Sequence, residues 1–303
     1  MPKDPVRVCV WVSLRDACLA FAKAKDGTQS AEHIVKLHWH VACRLVLEGG
    51  FHPDLVRPHP PLAVQRKGSR NILVFDPAVA SGKEATVFGG LKTKNIDVAV
   101  TIPEIGPCIA ISMKGILNAF RNLTNRLEEA VGDCTNVHIA YPGLVYGFLH
   151  IIRGNREGPI PESAARFLKP DPDSQLMRSG DVAIRKDGRQ TDFIQKYHAA
   201  MMRLSGRKDL RDDFSRYEAV ALMMVEGSDK GLGEILKNHP DIESPLRFEK
   251  FFDSVYRAYE LRFVYGAPDL RSVTRRLEWD PESPALRELK ISGFEPRVAA
   301  EED

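Results

Sequence analysis

The strongest fold prediction comes from Lys94–Glu128, whose sequence is KNIDVAVTIPEIGPCIAISMKGILNAFRNLTNRLE. Apolar residues alternate with polar or small ones from residue 96 to residue 101, which is the period of a half-buried strand. A turn with two prolines and a glycine follows at 103–107. Residues 108–113 predict a second, almost entirely apolar strand. Together they predict a hairpin, with Asp97 on its first strand and Lys114 on its second.

Asp97 and Lys114 are polar residues on otherwise apolar segments, and this placement has a chemical use. A metal-dependent phosphodiesterase needs carboxylates to hold Mg²⁺ and a lysine to orient or deprotonate the attacking water. The lysine can also stabilise the charge that builds on the phosphate. The same spacing equally fits an aspartate that faces water and a lysine that caps a strand, so both interpretations stay open.

A helix is predicted after the second strand. It carries an apolar stripe at three-to-four spacing, with Glu128 on a neighbouring polar face. A helix rises about 1.5 Å per residue, so a straight helix from Gly115 would place Glu128 roughly 20 Å from Lys114. We therefore expect residues 115–118 to carry the chain away, so that the helix returns past Lys114. Otherwise Glu128 is a solvated helix residue.

Ser112–Lys114 is followed by thirteen residues and then by Glu128, with Arg126 two residues before that glutamate. Together with Asp97, this pattern resembles the active site of PD-(D/E)xK superfamily nucleases. It is similar in particular to type II restriction endonucleases with the displaced-glutamate arrangement, SxK-x13-E. The resemblance covers about the first half of the chain and is limited to the motif.

The resemblance implies a fold and a set of roles. The fold is α/β, a restriction-endonuclease-like mixed sheet flanked by helices. Asp97 and Glu128 would hold Mg²⁺, Glu32 is the candidate third carboxylate, and the backbone carbonyl of Met113 would be a further ligand. Lys114 would position the water, and Ser112 would support the motif without charge.

DNA contacts are expected from residues that follow the motif. The first candidates are Arg121, Asn122 and Arg126. They differ from the base-reading residues of the similar enzymes, so no recognition sequence can be carried over. Symmetric cleavage of double-stranded DNA would call for a homodimer or a tetramer.

The rest of the chain is organised around this core. We expect a nuclease core over residues 1–180 and a mostly helical region over residues 181–303, packed on the core as one domain.

A strong helix is predicted from Ala31 to Glu48, with Glu48 as a weaker metal candidate than Glu32. Further predicted elements are a strand at 136–141 and helices at 191–204, 210–225 and 245–265. Residues 142–153 fit a helix or a strand, and a proline in the first turn favours the helix. Three histidines of the first strong helix are interpreted as packing or surface residues, namely His33, His38 and His40. Asp76 and Glu84 are near the motif in sequence, and either could be a further ligand, but nothing singles them out.

Composition bounds the class of protein. The chain has 303 residues, of which 43% are hydrophobic and 28% charged, which is ordinary for a globular protein. No apolar run is long enough for a membrane span, and the N-terminus does not read as a signal peptide. The five cysteines form no CxxC motif, which indicates buried thiols in a reducing cytoplasm and argues against zinc. The net charge is only +2, but basic residues cluster at 57–70 and 185–211.

The sequence thus predicts a cytoplasmic Mg²⁺-dependent, sequence-specific endonuclease of double-stranded DNA, a type II restriction enzyme. Two alternatives remain. One is a repair or phage-defence nuclease of the same fold. The other is a non-catalytic DNA-binding protein on a decayed nuclease fold, an interpretation that an exposed Glu128 would favour.

Overall fold

The helices and strands of this chain are given by a computed structural model, which describes residues 9–24, 32–211 and 213–300. The N-terminal half contains helices α1 (Leu14–Ala22), α2 (Glu32–Leu47) and α3 (Leu123–Ala140). Its strands are β1 (Val56–Arg57), β2 (Leu62–Lys67), β3 (Arg70–Phe75), β4 (Ala85–Phe88), β5 (Thr93–Ile96), β6 (Val98–Ile102) and β7 (Gly106–Ile116). β8 (Val145–Gly154), α4 (Asp192–Leu204), β9 (Ala219–Glu226), α5 (Phe248–Tyr259), α6 (Arg271–Thr274) and α7 (Pro284–Glu288) follow.

A five-stranded mixed sheet forms the centre, in the order β1-β6-β7-β8-β9. β6 pairs antiparallel with β1 and with β7, whereas β8 pairs parallel with β7 and β9. The strands β7 and β8 are joined through α3, as a parallel pair requires. Two separate ribbons, β2-β3 and β4-β5, lie outside this sheet. The predicted class, α/β with a mixed sheet flanked by helices, is confirmed.

Helices cover both faces of the central sheet. Alternate residues of β7 face opposite sides: Ile109 and Ile111 join the core formed with α1, α2 and α5, whereas Ala110 joins the core formed with α3 and α4. Because both faces are covered, β8 and β9 are buried along their whole length. The sheet therefore presents its strand ends, rather than a face, to solvent and ligands.

The strand predicted at 136–141 is wrong, because these residues are the end of α3 and its cap. The helix predicted at 210–225 and the helix favoured at 142–153 are also wrong, because these segments contain β9 and β8. A strand that is buried on both faces has no alternation, so its apolar run cannot be told from a buried helix by periodicity.

The prediction of a mostly helical region over residues 181–303 is also wrong. β9 supplies an edge strand of the central sheet, and long irregular segments separate α4, α5, α6 and α7. A π-helical turn, Glu260–Tyr265, continues α5. The division at residue 180 stays a prediction.

Two expectations about the chain as a whole can be compared with the structure. All five cysteines are buried free thiols, as expected. None of the helices in the described residues is long and apolar enough to cross a bilayer.

Candidate metal and active site

Asp97 lies immediately before β6 and Lys114 lies on β7, on the two sides of the hairpin that the sequence predicts. Val98 pairs with Ile111, so Asp97 lies just beyond the paired residues and beside the C-terminal part of β7. The amide N–H of Met113 donates a hydrogen bond of 2.6 Å to Oδ2 of Asp97. The backbone of β7 therefore fixes the Asp97 carboxylate one residue before Lys114.

Lys114 forms an ion pair with the helix that follows. Its Nζ lies 3.0 Å from Oε1 of Glu129, and Nη1 of Arg126 lies 3.1 Å from the other oxygen. Partial burial raises the pKa of Glu129, but hydrogen bonds and charge from Lys114 and Arg126 outweigh this effect, so that the pKa is lowered overall. Glu129 is therefore ionised at neutral pH and holds the Lys114 ammonium in place.

The helix returns past Lys114 in the way that the sequence requires. β7 continues to Ile116, and a left-handed residue, Ala119, with φ 55°, precedes a 3-10 turn at Phe120–Asn122. α3 begins only at Leu123. Because the chain turns before the helix begins, the helix does not run straight away from Lys114.

The two adjacent glutamates of α3 are both exposed, but it is Glu129 that contacts Lys114. Residue spacing alone does not distinguish two neighbouring glutamates. The signal that could have done so is Arg126, which lies three residues before Glu129 and pairs with it on one helix face. The role of Glu128 as a metal ligand stays a prediction.

Ser112 occupies a buried position with a structural partner. Its hydroxyl lies 2.8 Å from the hydroxyl of Tyr146 on β8, and both side chains are buried. Lys114 lies farther along the same strand and pairs with His150 in the register of β7 and β8. The hydroxyl of Tyr197 lies 2.7 Å from Nδ1 of His150. Ser112 thus belongs to a row of buried polar groups between the sheet and the α3-α4 layer.

A group of three side chains with metal-ligating atoms lies at Asp97. The nitrogen of His38 and carboxylate oxygens of Glu84 and Asp97 all lie within 4.8 Å of one another. Nε2 of His38 is 3.8 Å from Oδ1 of Asp97, and the His38 side chain is 4% exposed. This nitrogen is buried and has no hydrogen-bond partner among the described residues. Two carboxylates and an imidazole fit a divalent cation.

The sequence alone does not select His38, and it offers Glu84 only as one of two acids that could be a further ligand. His38 and His40 are two residues apart on a helix and point to different sides, so the sequence favours a packing or surface role for His38. Sequence spacing does not reveal this group, since α2, the segment before β4 and the segment before β6 each supply one residue.

Other acidic candidates lie elsewhere. Within the ranges 9–24, 32–211 and 213–300, Glu32 and Glu128 are not members of the three-residue group, and both are exposed. Glu48 pairs with Arg44 and accepts a hydrogen bond from Tyr256, which makes it a structural residue. Asp76 caps a 3-10 turn by accepting a hydrogen bond from the Ala78 amide. Glu32 therefore stays a prediction as a ligand.

Of the three predicted DNA contacts, Arg126 is connected to Lys114 through Glu129. Arg121 and Asn122 are exposed in the 3-10 turn, and Arg126 lies on the first turns of α3, where it pairs with Glu129. Met113 contributes its amide to Asp97, and its side chain is buried in the core. Its carbonyl as a metal ligand stays a prediction.

Comparisons of this chain with protein-family models, with curated proteins and with solved structures found no match.

Proposed function

We propose that this chain is a metal-dependent endonuclease that hydrolyses phosphodiester bonds of double-stranded DNA. One observation carries the proposal. The Asp97 carboxylate is anchored by the Met113 amide, one residue before Lys114, and lies among the ligand atoms of His38 and Glu84. A carboxylate, further metal-ligating groups and a lysine at one strand end are the components that metal-assisted hydrolysis of a phosphodiester needs.

The side chains divide the chemistry between them. His38, Glu84 and Asp97 would hold the cation, which when bound polarises the phosphate and lowers the pKa of a coordinated water. Hydrolysis forms a bond between the water oxygen and phosphorus, breaks one bridging P–O bond and transfers a proton to the departing oxygen. Lys114 orients the water and stabilises the charge on the phosphate, and Glu129 keeps its ammonium in place.

The arrangement of strands supports a restriction-endonuclease-like core. An antiparallel hairpin, β6-β7, carries Asp97 and Lys114, and α3 connects it to the parallel strand β8. The residues on which the resemblance depends, Asp97, Ser112–Lys114 and Glu128, therefore lie on this hairpin and on the helix that follows it. We therefore extend the proposal to a sequence-specific, type II enzyme that uses Mg²⁺ and acts as a homodimer or a tetramer.

A basic ribbon supplies contacts for DNA phosphates. Arg66 and Lys67 are exposed at the tip of the β2-β3 hairpin. The base of this hairpin is connected to the metal group by a short segment. His59 and Ser81, on either side of the hairpin, pair through two backbone hydrogen bonds, and Glu84 follows Ser81 by three residues. A six-residue strand spans about 20 Å, so the tip reaches phosphates at about that distance from the site.

The experiment that tests the proposal is digestion of plasmid and phage DNA by the purified chain, with Mg²⁺ or with EDTA. We expect metal-dependent cleavage, and discrete fragments would support sequence specificity over a structure-specific repair or defence nuclease. Lys114→Ala is expected to bind DNA and cut none. Lys290→Ala is the matched control, because Lys290 is an exposed lysine beyond α7. Cleavage by Lys114→Ala at the wild-type rate would remove Lys114 from the mechanism.

DNA binding is tested separately from cleavage. Replacing Arg66 and Lys67 together by alanine is expected to weaken binding to all sequences alike. Because each lost phosphate contact reduces counterion release, the slope of log K against log salt, which is negative, should become less steep by about 2. An unchanged slope would remove the hairpin tip from the DNA interface.

The second candidate function is a non-catalytic DNA-binding protein. It is favoured by the exposure of Glu128 and by the absence of an acid at Ser112, whose hydroxyl is instead paired with Tyr146. Binding of DNA without cleavage, on several DNAs of different sequence and methylation, would support this candidate.

A further inference from the structure

We propose that His38, Glu84 and Asp97 bind a single divalent cation and that the imidazole makes this site selective for Mn²⁺ over Mg²⁺. The inference rests on the proposed function in one respect, since both use Asp97, and it concerns binding rather than hydrolysis. It changes the expected ion, because the sequence motif alone implied Mg²⁺ held by carboxylates.

The spacing of the three ligand atoms suits one ion. Their nitrogen and oxygen atoms all lie within 4.8 Å of one another. Ligands at about 2.1 Å from a common ion lie about 3 Å apart when adjacent and about 4.2 Å apart when opposite. Only small side-chain movements therefore separate the present arrangement from coordination.

The buried nitrogen of His38 is an independent observation that points to a ligand. Nε2 is buried without a hydrogen-bond partner among the described residues, and its distance of 3.8 Å from Asp97 is too long for a hydrogen bond. A buried polar group without a partner destabilises the folded protein. A cation at this position would satisfy the nitrogen and offset that loss.

Two other buried histidines show why His38 is different. His40 and His138 each also bury Nε2 without a hydrogen bond, but in both rings Nδ1 lies within hydrogen-bond distance of a backbone carbonyl. The carboxylate near His138 is Glu218, which already pairs with two arginines. In the part of the chain that the structure describes, only the His38 group joins a histidine to two carboxylates at ligand spacing.

The surroundings orient the ligands for an ion. The Met113 amide binds Oδ2 of Asp97, while Oδ1 is the atom that faces His38. Such second contacts fix the direction of a ligating carboxylate. His38 is held on α2 in the core, whereas Glu84 is exposed, so the site is rigid on one side and open on the other.

The donor set decides the kind of ion. Mg²⁺ and Ca²⁺ prefer oxygen ligands and water, whereas a transition-metal ion such as Mn²⁺ accepts the same oxygen ligands and also binds an imidazole nitrogen, with an affinity that rises along the first transition row from Mn²⁺ to Cu²⁺. Two carboxylates still balance the charge of a divalent ion. The site therefore combines the oxygen ligands of a Mg²⁺ nuclease with one nitrogen ligand that Mg²⁺ uses poorly.

The test measures Mn²⁺ binding to the full chain by electron paramagnetic resonance, in the absence of DNA. We expect one Mn²⁺ per chain, with a dissociation constant at least about tenfold below that of Mg²⁺ in competition. Electron spin echo modulation from a directly bound ¹⁴N is expected in the wild-type protein and should disappear in His38→Gln. Glu84→Gln and Asp97→Asn should each weaken Mn²⁺ binding at least about tenfold, whereas Glu243→Gln, an exposed control, should not.

The outcomes separate this inference from the proposed function. Absence of ¹⁴N modulation in wild-type protein loaded with Mn²⁺ would overturn the inference, and this measurement needs no variant to fold. Metal-dependent DNA cleavage in that case would leave the proposed function standing. Conversely, a nitrogen-coupled Mn²⁺ site in a protein that cuts no DNA would uphold the inference and contradict the nuclease.

Discussion

Nζ of Lys114 lies 3.0 Å from Oε1 of Glu129, fifteen residues later in the chain. The second oxygen of the same carboxylate lies 3.1 Å from Nη1 of Arg126. One glutamate on α3 therefore connects the lysine at the end of β7 to the helix that covers it. The pair is about one third exposed, so it contributes little to stability and acts mainly by fixing where the ammonium points.

The adjacent glutamates of α3 can be tested as a matched pair. We expect Glu129→Gln to lower the single-turnover cleavage rate about tenfold or more, with unchanged DNA affinity and melting temperature, because Lys114 loses its orienting charge. Glu128→Gln removes a neighbouring exposed carboxylate. A larger loss of rate and of metal binding in Glu128→Gln would instead make Glu128 the ligand that the motif implies.

The pairing of Ser112 with Tyr146 predicts a stability effect. Ser112→Ala leaves a buried tyrosine hydroxyl without its partner at 2.8 Å, which is expected to lower the free energy of unfolding by about 1–3 kcal/mol. Tyr146→Phe removes the other hydroxyl. Urea unfolding of both single variants and the double variant should give a coupling energy, and additive losses would show that the two hydroxyls do not interact.

Gly115 lets α2 approach β7 closely. A Cβ there would collide with Ile34 and would lie 2.6 Å from Nε2 of His33. Gly115→Ala is therefore expected to destabilise the protein by about 1–3 kcal/mol. It should also weaken metal binding, because α2 carries His38.

Gly132 is the control for this substitution. It lies in α3, and a Cβ there would meet nothing within 4 Å. Gly132→Ala should stabilise the helix by up to about 1 kcal/mol. Equal melting temperatures for the two alanine variants would contradict the close approach of α2 to Gly115.

His150 makes stability depend on pH. Burial, followed by the charges of Lys114 and Arg126, lowers the pKa of His150 from its ordinary 6.5 to about 3. Between these values the unfolded chain binds a proton that the folded chain does not. The contribution of His150 is thus complete above pH 6.5, and it falls by about 1.4 kcal/mol per pH unit as the pH drops towards 3.

The variant His150→Gln measures this contribution. The difference in free energy of unfolding between wild type and His150→Gln should shrink between pH 7 and pH 5, because glutamine does not titrate. Urea unfolding at several pH values checks it. A difference that stays constant over this range would mean that the imidazole takes up its proton equally in both states.

The elements with clear periodicity followed from the sequence. The alternation at 96–101 and the proline turn predicted the β6-β7 hairpin, and the structure places Asp97 beside the end of β7 as expected. The glycines after residue 48 marked the end of α2. The sequences of β8 and β9 favour helices instead, because both faces of these strands are buried, which removes the alternation that identifies a strand.

The hairpin, the polar pair that it carries and the need for the chain to turn after Gly115 can all be predicted from the sequence. Those features depend on local periodicity and on residues close together in the chain. The contact of Lys114 with Glu129 rather than Glu128, and the grouping of His38 and Glu84 with Asp97, are visible only in the folded protein. Helix rotation and the packing of α2 on the sheet set these contacts, and both depend on distant apolar residues of the core rather than on spacing within a motif.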